Sequence, residues 1–341
     1  MRRSGLVGAC LVASLGACDG PAPGAGTQSA TTTMPPTGAA PAESAPATTP
    51  SAKAAGVPPA VLATAMEPTG LVLDGPRLYW LEAAAGEIVA APREGGAATR
   101  LAAGIGAPSG LAVDDAYVYV GESAGDARVL RLPKAGGSVE QVAKSPHGPV
   151  RAVAVDATHV YFCAEGAHAL YLAPKAGGTP RRLAEGCGER TQLVLEGRDL
   201  YFTGSSPRGP GLFQVPTAGG PTRTVFESAE DAPDALALRG GDLYFTTRGS
   251  GRLLRVPKTG GAARVLFTGS PADGLGGLTV DASHAYLALG HGPVLRVAAD
   301  GAGPALELGS EPGATATSVV LDATSVYWAR RGAIVKVPRP R

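Results

Sequence analysis

The chain has 341 residues, with 30 Lys and Arg against 29 Asp and Glu. That balance excludes a protein built to coat nucleic acid, which needs a basic face. Gly (49) and Pro (30) are too frequent for a helical protein but ordinary for an all-β chain with many turns, and no apolar run reaches the ~18 residues a spanning helix needs.

The chain opens MRRSGLVGACLVASLGAC. Arg2 and Arg3 form a basic start, residues 6–17 a short apolar stretch, and small residues follow, which is the layout of a signal peptide covering residues 1–17. Leu15-Gly16-Ala17-Cys18 resembles the bacterial lipobox. The resemblance implies cleavage before Cys18, a lipid held through its thioether and acylation of the new amine. Several acyl chains on one residue anchor firmly, where a single chain would be marginal. The implied location is the cell envelope, at the outer membrane or the periplasmic side of the inner membrane.

Residues 18–60 follow as the anchor cysteine and a linker of Pro, Ala, Thr, Ser and Gly, without an aromatic residue and almost without charge. Such a segment buries too little apolar area to offset its conformational entropy. About 40 residues of this type act as a semi-extended spacer, able to hold a domain roughly 50–100 Å from a bilayer. Loss of Arg2 and Arg3 with the signal leaves 28 basic residues against 29 acidic ones.

Residues 61–341 repeat. Seven units carry the phrase apolar-Asp-x-x-x-apolar-Tyr-aromatic or a close variant, from Leu73-Asp74…Leu78-Tyr79-Trp80 to Leu321-Asp322…Val326-Tyr327-Trp328. The tyrosines, Tyr79, Tyr119, Tyr161, Tyr201, Tyr244, Tyr286 and Tyr327, step by 40 to 43 residues. Each unit holds four short apolar segments rich in β-formers. A Pro-x-x-Gly-Gly turn, as in Pro133-Lys134-Ala135-Gly136-Gly137, separates the third from the fourth. Four antiparallel strands per unit, repeated in an array, predict an all-β, seven-bladed β-propeller. The seventh unit ends at Lys336-Val337-Pro338 without a fourth strand, whereas an orphan strand-like segment, Val61-Leu62-Ala63-Thr64, precedes the first. The N-terminal strand is therefore expected to complete blade 7 and close the ring, where an open array would need caps.

Pro108-Ser109-Gly110-Leu111-Ala112-Val113-Asp114 and the Val-Tyr-Trp phrase resemble NHL-type and YWTD-type propeller repeats over residues 61–341. The chain departs from the YWTD pattern, because no Tyr-Trp here is followed by Thr-Asp and the blades number seven instead of six. Fold alone assigns no function.

In such a propeller the first strand of each blade starts near the axis on the upper face. The ring at that position reads Thr69, Ser109, Arg151, Thr191, Asp234, Gly276 and Thr317. It is small and polar, with Arg151 and Asp234 as the only charges, and it is the candidate ligand site; the alternative is a wet channel mouth. Arginine suits carboxylates and phosphates. Asp74, Asp114, Asp156, Asp281 and Asp322 fall in lower hairpins and read as Asx-turn caps. His147, His168 and His291 are too scattered for a metal set, so neither metal nor cofactor is expected. Cys163 and Cys187 belong to one unit of an exported chain and either form a disulfide or remain two free thiols.

No Walker loop or His-Glu-x-x-His is present, and Gly121-Glu122-Ser123-Ala124-Gly125, which has the Gly-x-Ser-x-Gly spacing, leads into the third strand of its unit and not into the helix that a nucleophile elbow needs. Seven-bladed lyases that open streptogramin antibiotics resemble this chain in repeat length and closure. Their metal-assisted site uses a Glu-x-His pair, and none of the five histidines here lies two residues after a Glu. The expectation is a monomeric, lipid-anchored binding or scaffolding propeller. Its partners would be the membrane, through Cys18, and an unknown envelope protein or small polar ligand on the upper face or channel, with no nucleic acid. The alternative is a propeller enzyme, a lyase or hydrolase with an unrecognised site.

Overall fold

The repeated phrase is two strands and the hairpin between them. In the second unit Pro108–Val113 runs antiparallel to Tyr117–Glu122, with Val113 opposite Val118. Arg128–Pro133 and Glu140–Lys144 follow as the outer strands. The second strand is almost wholly buried on both faces, because each sheet is sandwiched between two neighbours; the outermost strand keeps only its central residues from solvent. That is why the inner segments read as continuous apolar runs and not as strict alternation.

The computed structural model describes residues 52–53, 58–270, 274–290, 293–309 and 315–340. Seven such sheets form a ring, and in blades 1 to 6 the chain meanders from the innermost to the outermost strand of each. Their innermost strands are Pro68–Asp74, Pro108–Val113, Val150–Val155, Leu193–Glu196, Ala232–Arg239, Leu275–Val280 and Ala316–Leu321. The signal segment, Cys18 and most of the linker lie outside the described residues.

Closure occurs as the missing strand predicts. Blade 7 consists of Ala316–Leu321, Ser325–Arg330 and Gly332–Pro338, completed by Ala60–Ala65, which pairs antiparallel with the last of them: Ala60 faces Lys336 and Ala65 faces Gly332. The closing strand thus begins at Ala60 instead of Val61. The chain leaving it is latched to blade 1 by Glu82, which is buried and accepts the amides of Met66 (3.1 Å) and Glu67 (2.9 Å) and the Trp80 indole N–H (2.9 Å). Ala52–Lys53, read from sequence as linker, pairs parallel with Leu306–Gly309 at the outer edge of blade 6.

The core is circular. Seven clusters of buried side chains fill the seven seams between adjacent blades; Ala63 and Ala65 of the closing strand belong to the seam between blades 7 and 1. Near the axis the inner strands approach closely. Gly110 has a φ of 62°, and a Cβ there would lie 2.8 Å from the Val153 amide nitrogen and 2.9 Å from Ala152 Cα, so the contact admits glycine alone.

At the lower face, Asp114 caps its hairpin as an Asx turn: Oδ1 accepts the amides of Ala116 (2.9 Å) and Tyr117 (2.8 Å). Its second oxygen accepts the Tyr119 hydroxyl at 2.8 Å, which gives the buried repeat tyrosine of that unit a hydrogen-bond partner. Asp156, Asp281 and Asp322 do the same for Tyr161, Tyr286 and Tyr327. A further partner comes from the next blade, at the residue after the third-strand proline. Lys134 pairs with Asp74 (2.5 Å), Lys175 with Asp114 (2.6 Å), Lys258 with Glu196, Arg339 with Asp281 (2.5 Å) and Arg93 with Asp322 (3.2 Å). In the two remaining seams no such ion pair forms: Asp156 faces Thr217, and Arg239 faces Ala299.

Candidate binding site at the propeller axis

The upper ends of the inner strands surround an axial cavity of about 430 Å³. Thr69, Ser109, Arg151, Thr191, Asp234, Gly276 and Thr317 all line it, one from each blade. The ring read from the repeat register is therefore brought together in space. Its volume lies in the ordinary range for small-ligand pockets, roughly 300–1,000 Å³.

The ring residues do not contribute alike. The Ser109 hydroxyl donates to the Val150 carbonyl of the next blade at 2.5 Å, and the Thr317 hydroxyl donates to the Pro68 carbonyl at 2.7 Å. The Thr191 hydroxyl donates to the Thr203 carbonyl at 3.1 Å. These three groups spend their protons on holding blades and strands together, leaving only acceptor capacity toward the cavity.

Arg151 is likewise committed. Its Nε lies 2.5 Å from a Glu165 carboxylate oxygen, and both side chains are about one-quarter exposed. Glu165 sits in the single 3-10 turn among the described residues, Glu165–Ala167, between the second and third strands of blade 3. Arg151 therefore stands in the ring with a carboxylate partner from its own blade. Asp234 is flanked by two arginines, Arg190 at 3.8 Å and Arg248 at 3.5 Å. Charge is confined to blades 3, 4 and 5, and the opposite arc offers Gly276, Thr317, Thr69 and Ser109.

Glu189 and Arg190 come from residues 186–192, which precede the short inner strand of blade 4. Register reasoning missed them because they stand before the ring position; the readable signal was a pair of charges directly ahead of Thr191. The segment is held at several points. Ser205 donates its amide to the Gly186 carbonyl, Gly188 donates to Thr191 Oγ1, and Gln192 donates to Thr203 Oγ1. A disulfide joins Cys187 to Cys163 on the second strand of blade 3, with the Cα atoms 6.0 Å apart and both residues buried. It anchors the root of the segment that carries Glu189 and Arg190.

No histidine is among the described residues that line the cavity, and no group of three metal-ligating side chains occurs among the described residues.

No protein-family model and no curated relative matches the sequence. Solved structures share the fold. A streptogramin B lyase aligns with a TM-score of 0.68 at 14% identity, covering 81% of this chain and 94% of the lyase. YCF48 bound to D1 peptide aligns with a TM-score of 0.65 at 13% identity, covering 86% and 99%. BamB from Moraxella catarrhalis aligns with a TM-score of 0.57 at 14% identity, covering 85% and 93%. At such identities the likeness concerns architecture, and the same architecture serves a lyase and a peptide-bound protein.

Proposed function

We propose that this chain is a lipid-anchored binding or scaffolding propeller of the bacterial cell envelope, which receives a small polar ligand or a segment of an envelope protein in the axial cavity. The observation that carries the reading is the cavity itself: a concave site of about 430 Å³ with small residues on one arc and charged ones on the other. Arg151 is engaged with Glu165 and Asp234 with two arginines, ion pairs that suit recognition more than proton transfer, while Glu189 adds a carboxylate to the same wall. The lipobox-like Leu15-Gly16-Ala17-Cys18 and the Pro-rich spacer support tethering at the envelope. Membrane attachment through Cys18 and a monomeric state belong to the proposal. The rival reading, a propeller lyase or hydrolase, is favoured by fold similarity to the streptogramin B lyase and by no residue of this site.

Thr69 tests the cavity. It lies on the small-residue arc, half-buried, so that Thr69→Trp fills the mouth without removing a core contact. Partners captured from detergent-solubilised envelope by the wild-type domain should be lost with Thr69→Trp, while the melting temperature stays within a few degrees. Undiminished capture by the variant would place recognition elsewhere.

A further inference from the structure

The two arginines over Asp234 differ from every other cation at the site. Arg151 is locked at 2.5 Å to Glu165, but the Arg190 and Arg248 side chains are 57% and 53% exposed and approach Asp234 only to 3.8 and 3.5 Å. Contacts that long are poor hydrogen bonds, and ion pairs this exposed contribute little, so their exchange for another partner costs little. The two guanidiniums come from different blades. Arg190 rides on the segment rooted by the Cys163–Cys187 disulfide, and Arg248 ends the second strand of blade 5. They converge on one carboxylate, Asp234, which is 18% exposed and lines the cavity.

We infer that Arg190 and Arg248 form a carboxylate-recognition fork at the mouth of the cavity, with Asp234 as the resident counter-ion that keeps both guanidiniums in place until a ligand carboxylate takes them over. Each guanidinium presents a planar set of donors matched to the two oxygens of a carboxylate, and two forks from opposite sides can share one such group. Asp234 is then a competitor as well as an organiser. It occupies the same donors and repels an incoming anion. Glu189 on the same wall adds negative charge, so specificity comes from the shaped fork and not from a general positive field. This inference rests on the reading of the cavity as a ligand site and names the chemistry that site selects.

The test uses the full chain, solubilised in detergent with its disulfide intact, and three probes: succinate, the tripeptide Ala-Ala-Ala with a free C-terminal carboxylate, and the same tripeptide as its amide. Titration calorimetry, or amide chemical shifts on labelled protein, should show saturable binding of succinate or of the acid tripeptide and none of the amide. Whichever acid binds identifies the source, a small free acid or a peptide terminus. Arg190→Ala and Arg248→Ala should each weaken it about tenfold or more. Arg→Lys at either position keeps the charge but loses the fork, and should recover only part of that loss. Asp234→Asn should tighten binding by about two- to fivefold, since it removes the charge that competes for the two guanidiniums. Equal binding of acid and amide, no binding of either acid, or full binding by the Arg190→Ala, Arg248→Ala double variant would each overturn the fork. The Thr69→Trp variant separates the two proposals: envelope capture lost with Thr69→Trp but kept by the double variant leaves the cavity in place and removes the fork alone.

Discussion

The Asp–Tyr pair of the lower hairpins shows how one residue type can serve three structural demands at once. Asp322 caps its turn through the Thr324 and Ser325 amides, accepts the Tyr327 hydroxyl, and meets Arg93 of the neighbouring blade. Burial alone would raise the carboxyl above its ordinary value. The hydrogen bonds from Thr324, Tyr327 and Ser325 outweigh burial and hold it below. The same balance holds for Asp114, Asp156 and Asp281. A carboxyl lowered in the folded state binds fewer protons than in the unfolded chain, so its stabilisation is present above about pH 4 and is lost as pH falls through the lowered value. The tyrosines behave oppositely. Burial and the adjacent carboxylate push Tyr286 up to about 12 and raise Tyr119, Tyr161 and Tyr327 as well. Their contribution is intact below about pH 10 and is lost above it. His284, held below its ordinary value by burial and Arg296, adds a decline as pH falls below about 6.5, so the melting temperature should be highest between about pH 7 and 10, ease downward below that window and fall further below about pH 4 and above about pH 10. Tyr327→Phe should lower stability by about 1–2 kcal/mol and blunt the alkaline fall; a variant melting like wild type would assign the hydroxyl no role. In the upper ring, Ser109→Ala should cost about 1 kcal/mol by removing its inter-blade hydrogen bond, whereas Thr69→Val should be nearly neutral. Chemical denaturation of the two variants side by side measures the difference.

Among the elements, Ala60–Ala65 carries the most consequence for its length. It supplies the fourth strand of blade 7 and places Ala63 and Ala65 in the seam with blade 1. A chain starting at Glu67 should lose cooperative unfolding or aggregate through the exposed edge of Gly332–Pro338; size-exclusion and thermal melting against the full domain decide it. The other decisive element is the segment before Leu193–Glu196. The disulfide closes a loop with a sequence separation of 24 and, on the chain-entropy account, stabilises by about 2–4 kcal/mol. The Cys163→Ala, Cys187→Ala variant should be less stable by that amount in chemical denaturation and lose hydrogen-exchange protection first at residues 186–192. Protection retained there would show that the Thr191 and Thr203 hydrogen bonds suffice to hold the segment. A denaturing, non-reducing thiol count on the native domain should find neither cysteine titratable.

For the whole molecule, the ring distributes its core over seven equivalent seams while its upper mouth is polarised toward blades 3, 4 and 5. Mass spectrometry of the mature N-terminus should find an acylated Cys18, and Cys18→Ser should move the protein from the membrane to the soluble fraction. Continued membrane fractionation of that variant would remove lipidation as the means of attachment.

The repeat alone determined the blade count, the closure by an N-terminal strand and the ring of axis-facing residues. Each depends on local periodicity: a hairpin every 40 to 43 residues, a Gly-Gly turn, and a fixed offset from the first strand. The lower pairs of Lys134 with Asp74 and Lys175 with Asp114 were latent in the same register, since both positions can be read down the repeat, but nothing local says that they touch across a seam. Only the tertiary structure decided what the ring residues do. Ser109, Thr191 and Thr317 look alike as ligand hooks in sequence, yet their protons go to neighbouring carbonyls once the strands close around the axis. Arg151 is neutralised by Glu165, and Arg190 and Arg248 meet over Asp234 from separate blades. Those pairings depend on how irregular upper loops fold over a regular scaffold. Loop conformation follows from long-range contacts such as the Cys163–Cys187 bridge, and not from the period that made the blades legible.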